Sequence, residues 1–249
     1  MTMSSAGTQP PRTPAEAVRT VREEARFGAA FLRAHGWRLL LVFLGVGLPL
    51  WGFGALAEEL HENETFFFDE PVLRFAHDMA GAGFDRVFLL FSELGYGHGV
   101  VPVDIALVLA MAWRRRLHEG LFAGIAIGGS ALLNVAAKHA FARSRPDLWL
   151  SIAPETTYSF PSGHAMGSIT LAWVVLLLWW HLPSPRWRRW RWPLTIVAAL
   201  FTLMVGLSRI YLGVHFPSDI LAGWTAASVW TVGVYALVFS RHRRPWRAP

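Results

Sequence analysis

Apolar residues along this chain come in long blocks, set apart by arginine clusters or polar loops. The blocks lie at 38–57, about 98–113, 120–137, 164–182, 193–208 and 217–239. A helix needs about 20 apolar residues to cross the ~30 Å hydrocarbon layer of a bilayer. The pattern therefore predicts an all-α polytopic membrane protein with six transmembrane helices in a bundle. Asp104 inside the second block turns one face of that helix into the bundle, where it makes a buried polar contact. Gly124, Gly128, Gly129, Ser130 and Ala131 in the third allow close helix approach in lipid.

Between the blocks the chain changes character. Residues 1–14 are polar, rich in Ser, Thr and Pro, and carry no cleavable signal sequence; they read as a disordered lead. Residues 15–36 interleave arginines and glutamates with Val, Ala, Phe and Leu. Two readings stand side by side here, an amphipathic helix on the membrane surface and a solvated helical lead. The acidic segment 58–85 is expected to form short interfacial helices, and 86–97 is too interrupted to span alone. The resulting division is a cytoplasmic lead and amphipathic helix (1–37), a six-span domain (38–240) and a basic cytoplasmic tail (241–249).

Composition supports a lipid solvent: 53% of the 249 residues are hydrophobic and 16% are charged, against roughly a quarter charged in soluble domains. The absence of cysteine excludes disulfides, thiolate metal sites and thiol nucleophiles. The net charge of +6 raises the question of nucleic acid, but its distribution answers otherwise. Arginine clusters precede the first block, follow the second, separate the fourth from the fifth and follow the sixth. With six spans all four fall on one side, which the positive-inside rule makes cytoplasmic. The Arg/Trp run at 185–192 is then a cytoplasmic turn with interfacial tryptophans. The connections 58–97, 138–163 and 209–216 fall together on the opposite side.

Three clusters on that opposite side carry chemistry: Lys138, Arg145 and Pro146; Pro161, Ser162, Gly163 and His164; and Ser208, Arg209, His215 and Asp219. One cation at a membrane rim reads most simply as snorkelling to head groups. Lys138, Arg145 and Arg209, interleaved with two histidines and an aspartate, read as a site for a tetrahedral anion, whose oxygens suit the guanidinium fork. Ser162 and Gly163 stand where the fourth helix begins. Free backbone N–H groups there bind phosphate, and a plain Ser162 cap is compatible with that. Pro217 suits a helix start, which would put Asp219 in the first turn, reaching back to His215. A carboxylate on one imidazole nitrogen frees the other as a nucleophile. Taken alone, the pair reads equally as an interfacial histidine before a capping aspartate. His164 is placed to protonate a leaving group and then to activate water.

In this order the clusters resemble the signatures of the type 2 phosphatidic acid phosphatase (PAP2) superfamily: K-x6-R-P, P-S-G-H and S-R-x5-H-x3-D. All eleven fixed positions are met within 138–219. The resemblance implies a bacterial-type membrane lipid phosphatase that works without a metal or other cofactor. His215 would be the nucleophile, Asp219 its partner and His164 the acid; Lys138, Arg145, Ser162, Gly163 and Arg209 would hold the phosphoryl oxygens. It further implies a lipid phosphate or diphosphate substrate, such as undecaprenyl pyrophosphate, phosphatidylglycerol phosphate or phosphatidic acid. The expected location is the plasma membrane, with both termini cytoplasmic and the site on the outer face. His139 and Arg143 match no signature position and read as interfacial residues. A phosphotransferase, a vanadium haloperoxidase-like enzyme and a non-enzymatic membrane protein are the alternatives; the physiological lipid and the oligomeric state stay open.

Overall fold

The computed structural model of the protein describes residues 43–61, 66–80, 83–180 and 185–239. The chain divides into two compact units, Met1–Leu44 and Gly45–Pro249. All but Phe43 and Leu44 of the first unit lies outside the described residues. So do the expected lead, amphipathic helix and basic tail. The bundle of helices belongs to the second unit.

Among the described residues the regular structure is entirely helical. The helices are α1 (Leu48–His61), α2 (Asp69–Asp78), α3 (Asp85–Leu94), α4 (Val100–Trp113) and α5 (Leu117–Phe141). They continue with α6 (Gly163–Trp180), the single turn α7 (Pro185–Arg188), α8 (Arg191–Tyr211) and α9 (Pro217–Phe239). Four of them, α5, α6, α8 and α9, are long and apolar enough to cross a membrane. Only 22% to 39% of their apolar windows is buried inside the protein. Leu109, Trp113, Leu132, Ile196, Val197 and Leu237 point outward. Apolar surface on this scale is stable only against lipid. The expected spans at 38–57 and 98–113 correspond to shorter helices: α1 is described from Leu48, and α4 has 14 residues, or about 21 Å at 1.5 Å per residue.

Helix ends differ from expectation in ways that matter for the site. The third apolar block was expected to stop at 137, with a polar loop from 139. The backbone instead stays helical to Phe141 and ends on Ala142, in the left-handed region at φ 46°, whose N–H donates to the Lys138 carbonyl at 2.9 Å. Lys138 thus sits on a rigid last turn. In the same way α8 runs to Tyr211, beyond the expected 208, and carries Ser208 and Arg209 on its final turn. Apolarity marks the lipid-exposed part of a helix, and hydrogen bonding continues beyond it. The expected interfacial segment 58–85 resolves into the end of α1, then α2 and the start of α3.

Helix α9 packs against α1, α5 and α6, and α6 packs in turn against α8. One core, built from Phe122, Ala126, Val174, Leu178, Val234 and Phe239, joins α5, α6 and α9. A second joins Leu73 of α2 to Ala165, Ile210 and Ile220. A third seats Phe88 and Leu89 of α3 on Tyr211, Leu212 and Val214. The Phe88 and Tyr211 rings stack at 4.2 Å, and the Tyr211 hydroxyl donates to Asp85 at 2.6 Å. The second and third cores lock the helix ends that carry the polar clusters. The arginine turn at 114–116 joins α4 to α5, and the arginine-rich stretch at 185–192 leads into α8, both at helix ends opposite the polar clusters.

Gly129 shows how closely α5 and α9 approach. Trp230 of α9 lies against it, and its indole N–H donates to the carbonyls of Ala126 at 3.0 Å and Ile125 at 3.3 Å. A Cβ on Gly129 would fall inside the Trp230 ring, whereas one on Gly128 would meet nothing within 4 Å. Gly129→Ala should therefore lower stability by about 1–3 kcal/mol, as overpacked cores do. Melting temperatures in detergent check this, with Gly128→Ala expected to stay close to the parent protein.

Candidate active site

The polar site forms where α5 and α8 end and α6 and α9 begin, closed over by the irregular segment 142–162. After α8 the chain must reverse within a few residues. Gly213 makes the reversal at φ 67°, with Trp149 packed where a side chain would stand. The turn delivers His215, which is 1% exposed. Its Nδ1 lies 3.4 Å from Asp219 Oδ2, in the first turn of α9. The same oxygen accepts from the Phe216 N–H at 2.9 Å and from the Ser159 hydroxyl. These donors fix Asp219 against the imidazole edge. Burial pushes the His215 pKa down to about 4, against the raising effect of the Asp219 hydrogen bond and charge. His215 is therefore neutral near pH 7. With a proton on Nδ1 facing Asp219, Nε2 carries the lone pair and accepts from Arg145 Nη1 at 3.1 Å.

Arg145 and Lys138 tie segment 142–162 in place. Arg145 donates from Nε to the Thr157 carbonyl at 2.7 Å and from Nη1 to the Val214 carbonyl at 2.6 Å. Lys138 donates to Thr157 Oγ1 at 3.0 Å and to the Tyr158 carbonyl. Arg209, 1% exposed, reaches back from the last turn of α8 to Ser92 of α3.

Ser162, fully buried, caps α6: its hydroxyl accepts from the Ala165 N–H at 3.4 Å, and its own N–H donates to the Asp219 carbonyl at 3.1 Å. Asn134 of α5 donates to the Pro161 carbonyl at 3.0 Å and lies where a Cβ on Gly163 would be crowded. The start of α6 is thereby held against both α5 and α9. His164 follows, with the Tyr96 ring 5.1 Å away.

These groups meet on a residue that no sequence motif marked, Glu155. Its Oε2 accepts from Arg145 Nη2 at 2.6 Å, and Oε1 accepts from Arg209 Nη2. His164 Nδ1 lies 3.8 Å from Oε1, and His215 Nε2 lies 4.0 Å from Oε2. One carboxylate thus sits between the two imidazoles and across two guanidiniums. Burial raises the Glu155 pKa, but Arg209, His215, Arg145 and His164 outweigh burial and hold it below the usual value. A cluster that keeps a carboxylate ionised in this way can hold other anions of similar size.

Arg143 corrects the expectation of an interfacial side chain. It is largely buried, with 11% of its side chain exposed, and it bridges Asp219 Oδ1 at 2.5 Å and Asp69 Oδ2 at 2.9 Å, with its guanidinium 4.2 Å over the Phe216 ring. Asp69 also accepts from the Ser218 N–H at 2.9 Å and the Ser218 hydroxyl at 2.6 Å. Helix α2 is in this way strapped to the start of α9 behind the His215–Asp219 pair. His139 is exposed, edge-on to Tyr158. Ser208, although a signature position, bonds the Val205 carbonyl of its own helix at 2.6 Å. Asp104 is buried as expected, yet its Oδ1 has no hydrogen-bond partner among the described residues.

Comparison with known proteins identifies the family. The PAP2 superfamily model matches residues 119–243. The chain is 30% identical over 174 residues to phosphatidylglycerophosphatase B of Bacillus subtilis, covering 70% of this chain and 84% of that protein. It is 28% identical over 197 residues to an undecaprenyl-diphosphatase of Sulfolobus acidocaldarius, covering 77% and 85%. The crystal structure of a transmembrane PAP2-type phosphatidylglycerolphosphate phosphatase from Bacillus subtilis superposes with a TM-score of 0.68 at 26% identity. That superposition covers 80% of this chain and 98% of the other. With the family matched over half its length, and a fold shared with a membrane enzyme, this chain belongs to the PAP2 superfamily and is a multi-pass membrane phosphatase.

Proposed function

We propose that the chain hydrolyses a lipid phosphate or diphosphate, of the kind represented by undecaprenyl pyrophosphate, phosphatidylglycerol phosphate or phosphatidic acid, through a phosphohistidine on His215. The observation that carries this reading is the convergence of His164, His215, Arg145 and Arg209 on one carboxylate. A phosphoryl group in that place would have guanidinium donors on its oxygens and an imidazole on each side.

The chemistry follows from the hydrogen bonds. His215, neutral and with its proton held toward Asp219, attacks phosphorus through Nε2 as the ester or anhydride P–O bond breaks. The leaving oxygen takes a proton from His164. The new P–N bond leaves a cationic imidazole, whose charge Asp219 balances. Water then gives a proton to His164 and attacks phosphorus, the P–N bond breaks, and inorganic phosphate leaves with His215 restored. Lys138, Arg145 and Arg209, with the backbone N–H at Gly163, stabilise the charge on the phosphoryl oxygens; Ser162, expected to join them, instead spends its own N–H on the Asp219 carbonyl and holds the start of α6 in place. Arg143 positions Asp219 and does not reach the reacting atoms.

A cavity of about 520 Å³ between α4, α5 and α6 supports a lipid substrate. Its wall is mostly apolar, and it runs from Leu109 and Ile127 to Tyr96 and Gly163, beside His164. It falls in the usual size range of ligand sites, roughly 300–1,000 Å³, and would seat a hydrocarbon chain with the head group at the site. The arginine turns lie at the helix ends opposite the site, which supports six spans, with α1 and α4 completing the set. The same sidedness supports cytoplasmic termini and a site on the outer face of the plasma membrane.

In detergent with a lipid phosphomonoester, His215→Ala should abolish phosphate release. His164→Ala should slow it by about 10²–10⁴-fold, the usual contribution of a general acid and base. Release by the parent protein should persist in EDTA. Unchanged turnover in His215→Ala would rule the mechanism out.

The neutral state of His215 gives a separate test. An unfolded histidine binds its proton near pH 6.5, whereas folded His215 resists until about pH 4. As pH falls through that window the unfolded chain gains protons that the folded site refuses, so stability declines. The melting temperature should fall more steeply from pH 6.5 to 4 in the parent protein than in His215→Asn. Parallel curves would mean that the site does not hold a neutral imidazole.

A further inference from the structure

Glu155 is a peculiar occupant for a site that takes anions. It is the same sign as the substrate, it pairs with Arg145 and Arg209, and it lies between both imidazoles. Nothing in the proposed chemistry uses it. It is about a quarter exposed, at 27% of its side-chain surface, so a way out exists. The segment around it is anchored independently: Thr157 and Tyr158 by Lys138 and Arg145, and Ser151 by its hydroxyl on the Leu212 carbonyl at 2.5 Å. The side chain can therefore rotate away while the segment stays in place.

From this arrangement we infer that Glu155 is a specificity-determining residue: a tethered carboxylate that holds the anion site against singly charged phosphodiester lipids and yields it to doubly charged phosphomonoesters and diphosphates. The inference rests on the phosphate-site reading proposed for this chain. A membrane enzyme of this kind faces a competitor problem. Phosphodiester head groups surround it, and each carries one negative charge on a tetrahedral phosphate. Such a head group would have to evict a carboxylate of equal charge already seated on two guanidiniums, so it gains no net attraction from the exchange. The carboxylate also has the advantage of its tether, which keeps it at high local concentration. A phosphomonoester dianion brings a second charge to Lys138, Arg145 and Arg209 and gains where the diester does not. Discrimination then comes from displacing a competitor of fixed charge.

The test compares the parent protein with Glu155→Gln, which keeps shape and removes charge, and with Glu155→Ala as an independent variant. Phosphate release from phosphatidic acid is followed in mixed micelles while phosphatidylglycerol replaces neutral detergent. The parent rate should hold as the diester rises, and the apparent inhibition constant for phosphatidylglycerol should be at least about tenfold lower in both variants. Equal sensitivity in all three proteins overturns the inference, as does a parent enzyme already strongly inhibited by the diester. Should the variants turn over too slowly to assay, binding of short-chain phosphatidylglycerol and of inorganic phosphate is read from the melting temperature. Both ligands should stabilise the variants, and only inorganic phosphate the parent protein at neutral pH. A parent protein that hydrolyses phosphatidic acid without diester discrimination sinks this inference alone. One that neither hydrolyses it nor binds inorganic phosphate sinks the phosphate site as well.

Discussion

The structure depends on one electrostatic constraint: cations gathered at the end of a lipid-embedded bundle must be compensated where they stand. Lys138, Arg145 and Arg209 are fixed on helix ends and a pinned segment, and two of them are largely buried. Such charges, once out of bulk water, are tolerable only with counter-charge and hydrogen-bond acceptors at close range. Glu155 supplies the counter-charge, and the carbonyls of Thr157, Tyr158 and Val214 supply acceptors. Segment 142–162 is therefore shaped by the cations as much as by its own backbone preferences. The same groups that hold the loop are those proposed above to receive a phosphoryl group.

A second pairing lies one layer back. Arg143 joins Asp69 and Asp219, and Ser218 completes the contact to Asp69. This layer orients the carboxylate that orients the imidazole. It also explains why a short polar helix outside the main bundle, α2, bears on a site to which it contributes no reacting atom. Removing either acid would leave Arg143 with a largely buried, half-met charge, which is costly in a weakly polar setting.

The helical fold and the grouping of the polar clusters were legible in the sequence because both rest on strong, local signals. Apolar blocks near the bilayer thickness mark α5, α6, α8 and α9, and Pro217 marks the start of α9. The positions of Lys138 and Arg209 on helix ends were less legible, since hydropathy stops where lipid stops and hydrogen bonding does not. Arg143 and Glu155 were missed for a different reason. Arg143 is defined by Asp69 and Asp219, 74 and 76 residues away in sequence, and Glu155 draws one of its two guanidiniums, Arg209, from 54 residues away. Charge balance offered a hint: the stretch 138–160 contains only Asp147 and Glu155 to set against Lys138, Arg143 and Arg145.

The dispersed origin of the site also bears on how the protein is made. Its cations and acids come from α2, the end of α5, segment 142–162, the end of α8 and the start of α9. During synthesis the earlier helices enter the bilayer before the segment bearing His215 and Asp219 has left the ribosome. Until that final hairpin of α8 and α9 is inserted, Arg143 lacks one of its two carboxylates and Ser162 lacks the Asp219 carbonyl that receives its N–H. Completion of this polar cluster is thus tied to insertion of α9, so a chain truncated before α9 cannot assemble it.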